Sequence, residues 1–180
     1  MTVAVALVRA VNVGGRTLRS ADLRAVAGSL GCTAVTTYLA SGNLVAVTDR
    51  EPPALAAALE AALTDLTGFE VRVVARDLAA WDAAVARLPY PEQAAATPSK
   101  VALVAFDGPV PPDAVVDPAR VDAEQVTWSG QEAYVWYPDG QGRSRLTLDV
   151  LSRAAGRTGT ARNWSTVLAL AALGHERAGG

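Results

Sequence analysis

With 180 residues, 51% of them hydrophobic and 19% charged, the chain is long enough to bury a core as one large domain or two small ones, and too apolar to stay disordered. A formal charge of −2 argues against the broadly basic surface of a protein that tracks nucleic-acid backbones. One cysteine, Cys32, excludes an internal disulfide and fits a reducing cytoplasm; the apolar runs, the first broken at Arg9 with no basic leader, are too short to span a bilayer.

Val3 to Val8 is an apolar strand that stops on Arg9, Ala10, Val11, Asn12, Val13, Gly14, Gly15 and Arg16. A first helix is expected from Ser20 as N-cap, with Leu23, Val26 and Leu30 on one face and Gly31 as a left-handed stop. Cys32 to Tyr38 and Leu44 to Thr48 then read as strands around a turn at Ala40, Ser41, Gly42 and Asn43. Pro52 and Pro53 suit the first turn of a helix, ahead of the apolar stripe Leu55, Leu59, Leu63 and Leu66. Val71, Val73 and Ala75 alternate with Arg72 and Arg76, which predicts a strand with one buried face. The order over residues 1–76 is β-α-β-β-α-β, that of a ferredoxin-like split unit.

Residues 77–99 are expected to connect two units: Asp77 caps a helix with the face Leu78, Trp81, Val85 and Leu88, and Pro89 to Ser99 is a proline-marked linker. In residues 100–180, Val101 to Phe106 reads as a strand, and Pro111 to Asp122 as a poorly patterned segment with a short helix broken by Pro118. Gln125 to Trp128 and Glu132 to Tyr137 form a hairpin about Ser129 and Gly130. A helix around Leu146 to Ala155 ends at Gly156, Thr158 to Ala161 makes a final strand, and Trp164 to Leu173 a terminal helix. The expected fold is α+β: two ferredoxin-like β-α-β-β-α-β units packed together, with a C-terminal helix. No residue-level repeat is visible between the halves.

Charge divides along the chain. Residues 1–50 hold five basic and two acidic residues, residues 51–140 five and fourteen, and residues 141–180 six and two, or +3, −9 and +4. Both ends are basic. If folding brings them together, a local positive field forms on an acidic protein; alternatively the arginines lie over apolar surface and pair with the carboxylates of the middle.

Three blocks carry chemistry: Arg9-x-x-Asn12-Val13-Gly14-Gly15, Thr37-Tyr38-x-x-Ser41-Gly42-Asn43, and Thr160-x-Arg162-Asn163-Trp164-x-Thr166. With Tyr134-Val135-Trp136-Tyr137-Pro138-Asp139-Gly140 and Ser144 they resemble, in order and over nearly the whole chain, the signature blocks of the bacterial family called domain of unknown function 1697. The resemblance implies a small cytosolic α+β protein and carries no activity, substrate or cofactor with it. This chain departs from the pattern at Ala10, where glycine is usual, and near Ser20, where a methionine is replaced. A methyl group at Ala10 hinders close backbone approach there.

The first block suits a phosphate or carboxylate, bound by Arg9, Asn12, Arg16 and the N–H groups of Gly14 and Gly15, or else a structural turn in which Arg9 pairs with a carboxylate. It has neither the ending of a P-loop nor the spacing of a dinucleotide fingerprint. Ser41, Gly42 and Asn43 have turn chemistry. In the expected topology their loop and the loop after the first strand fall at opposite strand ends. One pocket then includes both only if Asn43 starts the third strand pointing inward, or if the second unit packs across that edge. Asn163 is a good N-cap for the last helix, with Thr166 placed to answer it. Arg162, just before a helix N-terminus, opposes the macrodipole unless an anion or carboxylate lies between them.

Other chemistry has less support. His175 is the only histidine and lies near a terminus expected to fray, so no metal and no cofactor are expected. Cys32 reads as a buried small hydrophobe, Ser41 and Ser144 lack a visible base, Asp139 and Asp149 lack a partner, and the four tryptophans read as core or interface anchors. The reading is a cytoplasmic protein that binds a small phosphorylated or carboxylated ligand through Arg9, Asn12, Gly14, Gly15, Ser41, Asn43, Arg162 and Asn163, with arginines from both ends converging. The alternatives are a single-stranded nucleic-acid binder, disfavoured by charge and by the lack of an aromatic RNA-binding box, and a non-catalytic interaction module that uses an exposed Trp128 to Tyr137 hairpin edge. No reaction and no oligomeric state follow from the sequence.

Overall fold

The opening apolar run becomes the second strand from one edge of a four-stranded sheet in the computed structural model, which describes residues 1–9, 11–12 and 14–179. Strand β1 (Thr2–Arg9) lies between β3 (Asn43–Thr48) and β4 (Arg72–Asp77), with β2 (Thr33–Tyr38) beyond β3 and every pair antiparallel. Side chains alternate across a strand, so Ala4, Ala6 and Val8 share one face with Leu44, Ala46, Val73 and Ala75. That face forms one core with helices α1 (Ser20–Ser29) and α2 (Pro52–Thr67).

Helix α1 begins one residue away from expectation: Arg19 holds the cap position without a side-chain cap, and Ser20 is already helical. Its end is as expected. Gly31, at φ 86°, lets its N–H reach Gly28 O at 3.0 Å and the Cys32 N–H reach Ala27 O at 3.1 Å, which satisfies the last free carbonyls. Helix α2 starts on Pro52 and Pro53 and buries Leu55, Leu59 and Leu63, whereas Leu66 in its last turn is 54% exposed. Strand β4 is not one-faced. Val74 and Arg76 are buried along with Val73 and Ala75.

Helix α3 (Leu78–Ala86) is capped by Asp77, whose Oδ1 accepts from the Ala80 N–H at 2.7 Å. The expected linker is ordered: α4 (Pro91–Ala96) and a 3-10 turn at Pro98–Lys100 occupy it. Each begins on proline, which lacks only an N–H that has no helical partner there. Tyr90, buried and hydrogen-bonded to Thr127 Oγ1 at 2.9 Å, fixes the start of α4.

A second antiparallel sheet follows. Strand β5 (Val101–Phe106) lies between β7 (Glu132–Trp136) and β8 (Gly159–Asn163), with β6 (Gln125–Ser129) beyond β7. Ala102, Val104, Phe106, Ala133, Val135 and Tyr137 form its core with Leu151 and Ala155 of α5 (Leu148–Ala155). Helix α6 (Trp164–Ala178) ends the fold, and His175 lies within it, paired with Asp82 at 3.1 Å. Among the described residues no helix is long and apolar enough to cross a membrane.

Two expectations for this half fail. Between β5 and β6 the described residues form no α-helix, only a 3-10 turn at Pro118–Arg120, so the second unit lacks the first helix of β-α-β-β-α-β. Pro109, Pro111, Pro112 and Pro118 interrupt helical hydrogen bonding, and no apolar period offers a face to bury. The β6–β7 hairpin turns tightly at Gly130, φ 63°, and β6 is an edge strand, but Trp128 is only part-exposed, its ring centroid 6.0 Å from that of Phe106 against the core, and Tyr137 is buried.

The chain divides into two compact units, residues 1–83 with 169–180, and residues 84–168. The boundaries fall inside α3 and inside α6, so the C-terminal helix is not wholly part of the second unit as expected.

The two sheets repeat each other in register. Val5 pairs with Val45 and Arg76, as Leu103 pairs with Tyr134 and Arg162; Leu7 pairs with Asn43 and Val74, as Ala105 pairs with Glu132 and Thr160. The Val8 N–H donates to Gly42 O at 2.8 Å, and the Phe106 N–H to Gln131 O at 2.9 Å. This register aligns Ala75-Arg76-Asp77 before α3 with Ala161-Arg162-Asn163 before α6. In both, arginine Nη1 donates to the preceding carbonyl, at 2.9 Å in Arg76 and 2.8 Å in Arg162. In both, the next side chain caps the helix: Asn163 Oδ1 accepts from the Thr166 N–H at 3.0 Å as Asp77 does from Ala80. A residue-level repeat therefore exists. Three residues within strands that share only apolar character are too short a signal to see without the register.

Tyr137 is buried and donates to Leu146 O at 3.2 Å, and burial raises its phenol above the usual value of 10. Tyr90 and Tyr134 are raised by burial too. The folded state keeps protons that the unfolded chain releases, so this contribution is complete below about pH 10 and is lost as pH rises beyond it. Urea midpoints measured across the alkaline range are expected to fall from about pH 10 upward. Tyr137→Phe is expected to flatten that fall; an unchanged slope would remove Tyr137 as its source.

Candidate functional site

Six of the eight residues singled out in the sequence, Arg9, Asn12, Gly14, Gly15, Ser41 and Asn43, lie at one end of the first sheet. Leu7 sits opposite Asn43 in the antiparallel β1–β3 ladder, so the end of β1 and the start of β3 share an edge. The loop after β1 and the β2–β3 turn are neighbours, not residents of opposite ends. The reason is that the turn leads directly into the strand that runs against β1. Ala10 and Val13 lie outside the described residues.

Asn12 joins the two loops. At φ 59°, it accepts at Oδ1 from the Leu18 N–H at 2.9 Å, and its Nδ2 donates to Leu18 O at 2.9 Å and to Ala40 O. Its own N–H donates to Arg16 O at 2.5 Å. Gly14 and Gly15 have φ 58° and 84°, are exposed, and would place a Cβ where nothing lies within 4 Å. The turn needs their backbone freedom, and that side of the loop is open. Asn43 is fully buried at the first position of β3, and its Nδ2 donates to Tyr38 O at 2.8 Å and Ser41 Oγ at 2.9 Å. It closes the turn from inside.

Basic groups surround this end. Arg9, half-buried, sits opposite Arg72 across the β1–β4 ladder, and Arg72 is engaged by Glu70 at 2.5 Å and Glu60 at 3.8 Å. The exposed Arg16 places its guanidinium over the Phe69 ring, 5.5 Å from the centroid, a contact that holds the charge at the surface of the core.

Arg162 and Asn163 belong to the second unit, at the end of β8. Arg162 Nη1 donates to Thr160 Oγ1 at 2.9 Å and Ala161 O at 2.8 Å, and burial lowers its pKa to about 10. Asn163 is the cap of α6, a role worth about 1 kcal/mol.

The family model described as Protein of unknown function (DUF1697) matches residues 1–134. The chain belongs to the DUF1697 family. The matched stretch holds the six residues of the first unit and ends inside β7, ahead of Arg162. Conserved bacterial protein SP0830 from Streptococcus pneumoniae is similar in structure, with a TM-score of 0.74 at 20% identity over 97% of this chain and 99% of that one. At that identity the likeness concerns the fold. No curated protein matches the chain.

In this DUF1697 protein Arg76, expected on the open face of β4, is buried, and Phe69 carries no expectation from the sequence. Arg76 is the register counterpart of Arg162, buried to 9% exposure on β4. The triplet Ala-Arg-Asx ahead of an apolar helix occurs twice, and only the strand register shows that the two copies correspond. Phe69 follows the left-handed Gly68 that ends α2, and nothing local marks it as the seat of Arg16.

Proposed function

We propose that this DUF1697 protein is a cytoplasmic binder of a small phosphorylated or carboxylated ligand at the end of its first sheet. The gathering of Arg9, Asn12, Gly14, Gly15, Ser41 and Asn43 there carries the reading. Left-handed backbone at the adjacent Gly14 and Gly15 favours the kind of curl whose neighbouring N–H groups form an anion-binding concavity. Asn12, Ser41 and Asn43 shape the paired loops, the glycine amides contact the ligand, and Arg9 and Arg16 supply positive charge. Arg162 and Asn163 act in the second unit, on the corner between β8 and α6. The order β2-β3-β1-β4 supports assigning the first unit to the ferredoxin-like type, and the second to a variant without its first helix.

A charge-assisted hydrogen bond contributes about 1.5–3 kcal/mol, so four at the upper end of that range reach about micromolar affinity against an association cost of about 4 kcal/mol. Thermal-shift and calorimetric titrations with pyrophosphate, AMP, ATP, citrate and a short oligonucleotide test the proposal. At least one small anion is expected to stabilise the protein, with Arg9→Ala and Arg16→Ala each weakening binding about 10- to 100-fold. Absence of stabilisation, or binding indifferent to both substitutions, would refute the reading. Binding confined to the oligonucleotide and steeply salt-dependent would assign the alternative function.

A further inference from the structure

The second unit departs from the plan of the first at the connection between β5 and β6. In the first unit α1 fills the corresponding connection, and its Leu23 and Ala27 share a core with Leu55 and Leu59 of α2. In the second, the proline-rich segment stands in place of that helix, and α5 has 8 residues where α2 has 16. A cleft of about 310 Å³ lies between this segment and α5, lined by Val115, Asp117, Arg120, Val150, Arg153 and Ala154.

Its lining combines two arginines and one carboxylate with three apolar side chains. Among the described residues neither the Arg120 nor the Arg153 side chain has an ion pair or hydrogen bond. The one carboxylate, Asp117, is turned to its own backbone, where Oδ1 accepts from the Ala119 N–H at 2.9 Å. Val115 is 73% exposed, a large apolar side chain left in water beside two cations. Arg153 suits the last turn of α5 on helix-dipole grounds. That does not account for Arg120 on the opposite wall, nor for the exposed valine.

We propose that this cleft is a second ligand site, for a small organic anion whose carboxylate or phosphate head lies between Arg120 and Arg153. The ligand's apolar body rests on Val115, Val150 and Ala154. The volume is at the small end of ligand clefts, and with Asp117 present the lining carries a net +1, which suits a compact head and not a polyphosphate.

The test is a 1H–15N NMR titration of the full chain with benzoate and with phenyl phosphate, and with inorganic phosphate for comparison. Saturable shifts are expected at residues 115–121 and 150–156 for at least one aromatic probe, and about tenfold weaker binding of the bare phosphate. The probe that binds distinguishes a carboxylate from a phosphate head. Arg120→Ala and Arg153→Ala are each expected to weaken it about tenfold or more at residues 115–121 and 150–156, while Arg9→Ala leaves the titration of those cleft residues unchanged. Both arginines are exposed, so retention of the remaining spectrum separates loss of binding from loss of fold. No saturable shift at the cleft with either aromatic probe, cleft shifts that survive in the double variant, or shifts confined to the Gly14–Gly15 loop would overturn the proposal.

Discussion

Gly42→Ala is expected to destabilise the protein by about 2–5 kcal/mol, a large share of the roughly 5–15 kcal/mol that holds a domain folded. Two costs coincide at this position. Gly42 has φ 76°, in a region that costs an L-residue about 1–2 kcal/mol. A Cβ there would also lie 2.8 Å from both Val8 Cβ and Val11 Cγ2, and crowding of that kind adds about 1–3 kcal/mol. The backbone cannot withdraw without giving up the bond from the Val8 N–H to Gly42 O at 2.8 Å, which ties the β2–β3 turn to β1. Urea denaturation checks the value, and Gly14→Ala is the control. Gly14 also has positive φ but open space around it, so its substitution carries only the backbone cost. Equal losses in the two variants would show that close packing at Gly42 is not limiting.

Asn12→Ala is expected to cost about 2–3 kcal/mol and to loosen the loop that carries Gly14 and Gly15. Alanine leaves the Leu18 N–H without its acceptor and the Leu18 and Ala40 carbonyls without their donor. It also tolerates φ 59° less well than asparagine. Asn12→Gly separates the two effects by keeping the backbone freedom and removing the hydrogen bonds. Hydrogen exchange at the Leu18 amide is the direct measurement, with protection lost in both variants. A protected Leu18 amide in Asn12→Gly would mean that the loop is held by other contacts. If the first-unit proposal is right, anion affinity falls in both variants although Asn12 itself touches no ligand.

The parts of this fold legible in the sequence are those specified over a few residues. Asp77 and Asn163 were readable as caps because a short acceptor before an apolar helix has one local use, and Gly31 as a stop because a left-handed residue there favours glycine. The strand β5 was readable as an unbroken apolar run. Register was not. It depends on which strands become neighbours, and without it the loops around Asn12 and Ser41 were assigned to opposite ends although a side chain joins them. Arg76 was misjudged for a related reason: alternation in a strand is read as inside and outside, and a strand buried on both faces defeats that reading. The helix α4 was missed because Pro91 to Ala96 is too short to show a period.

The first unit is not a contiguous stretch of polypeptide. It takes in residues 169–180, where Arg177 donates to Thr36 Oγ1 at 2.7 and 3.2 Å and Gly174 lies so close to Leu78 that a Cβ would sit 2.5 Å from its Cδ1. During synthesis, then, a ribosome delivers most of this unit at the outset but cannot supply its closing piece until the whole of the other unit has been translated. The half that emerges early is finished late, and a nascent chain halted anywhere before residue 169 leaves Thr36 and Leu78 without the helix that covers them.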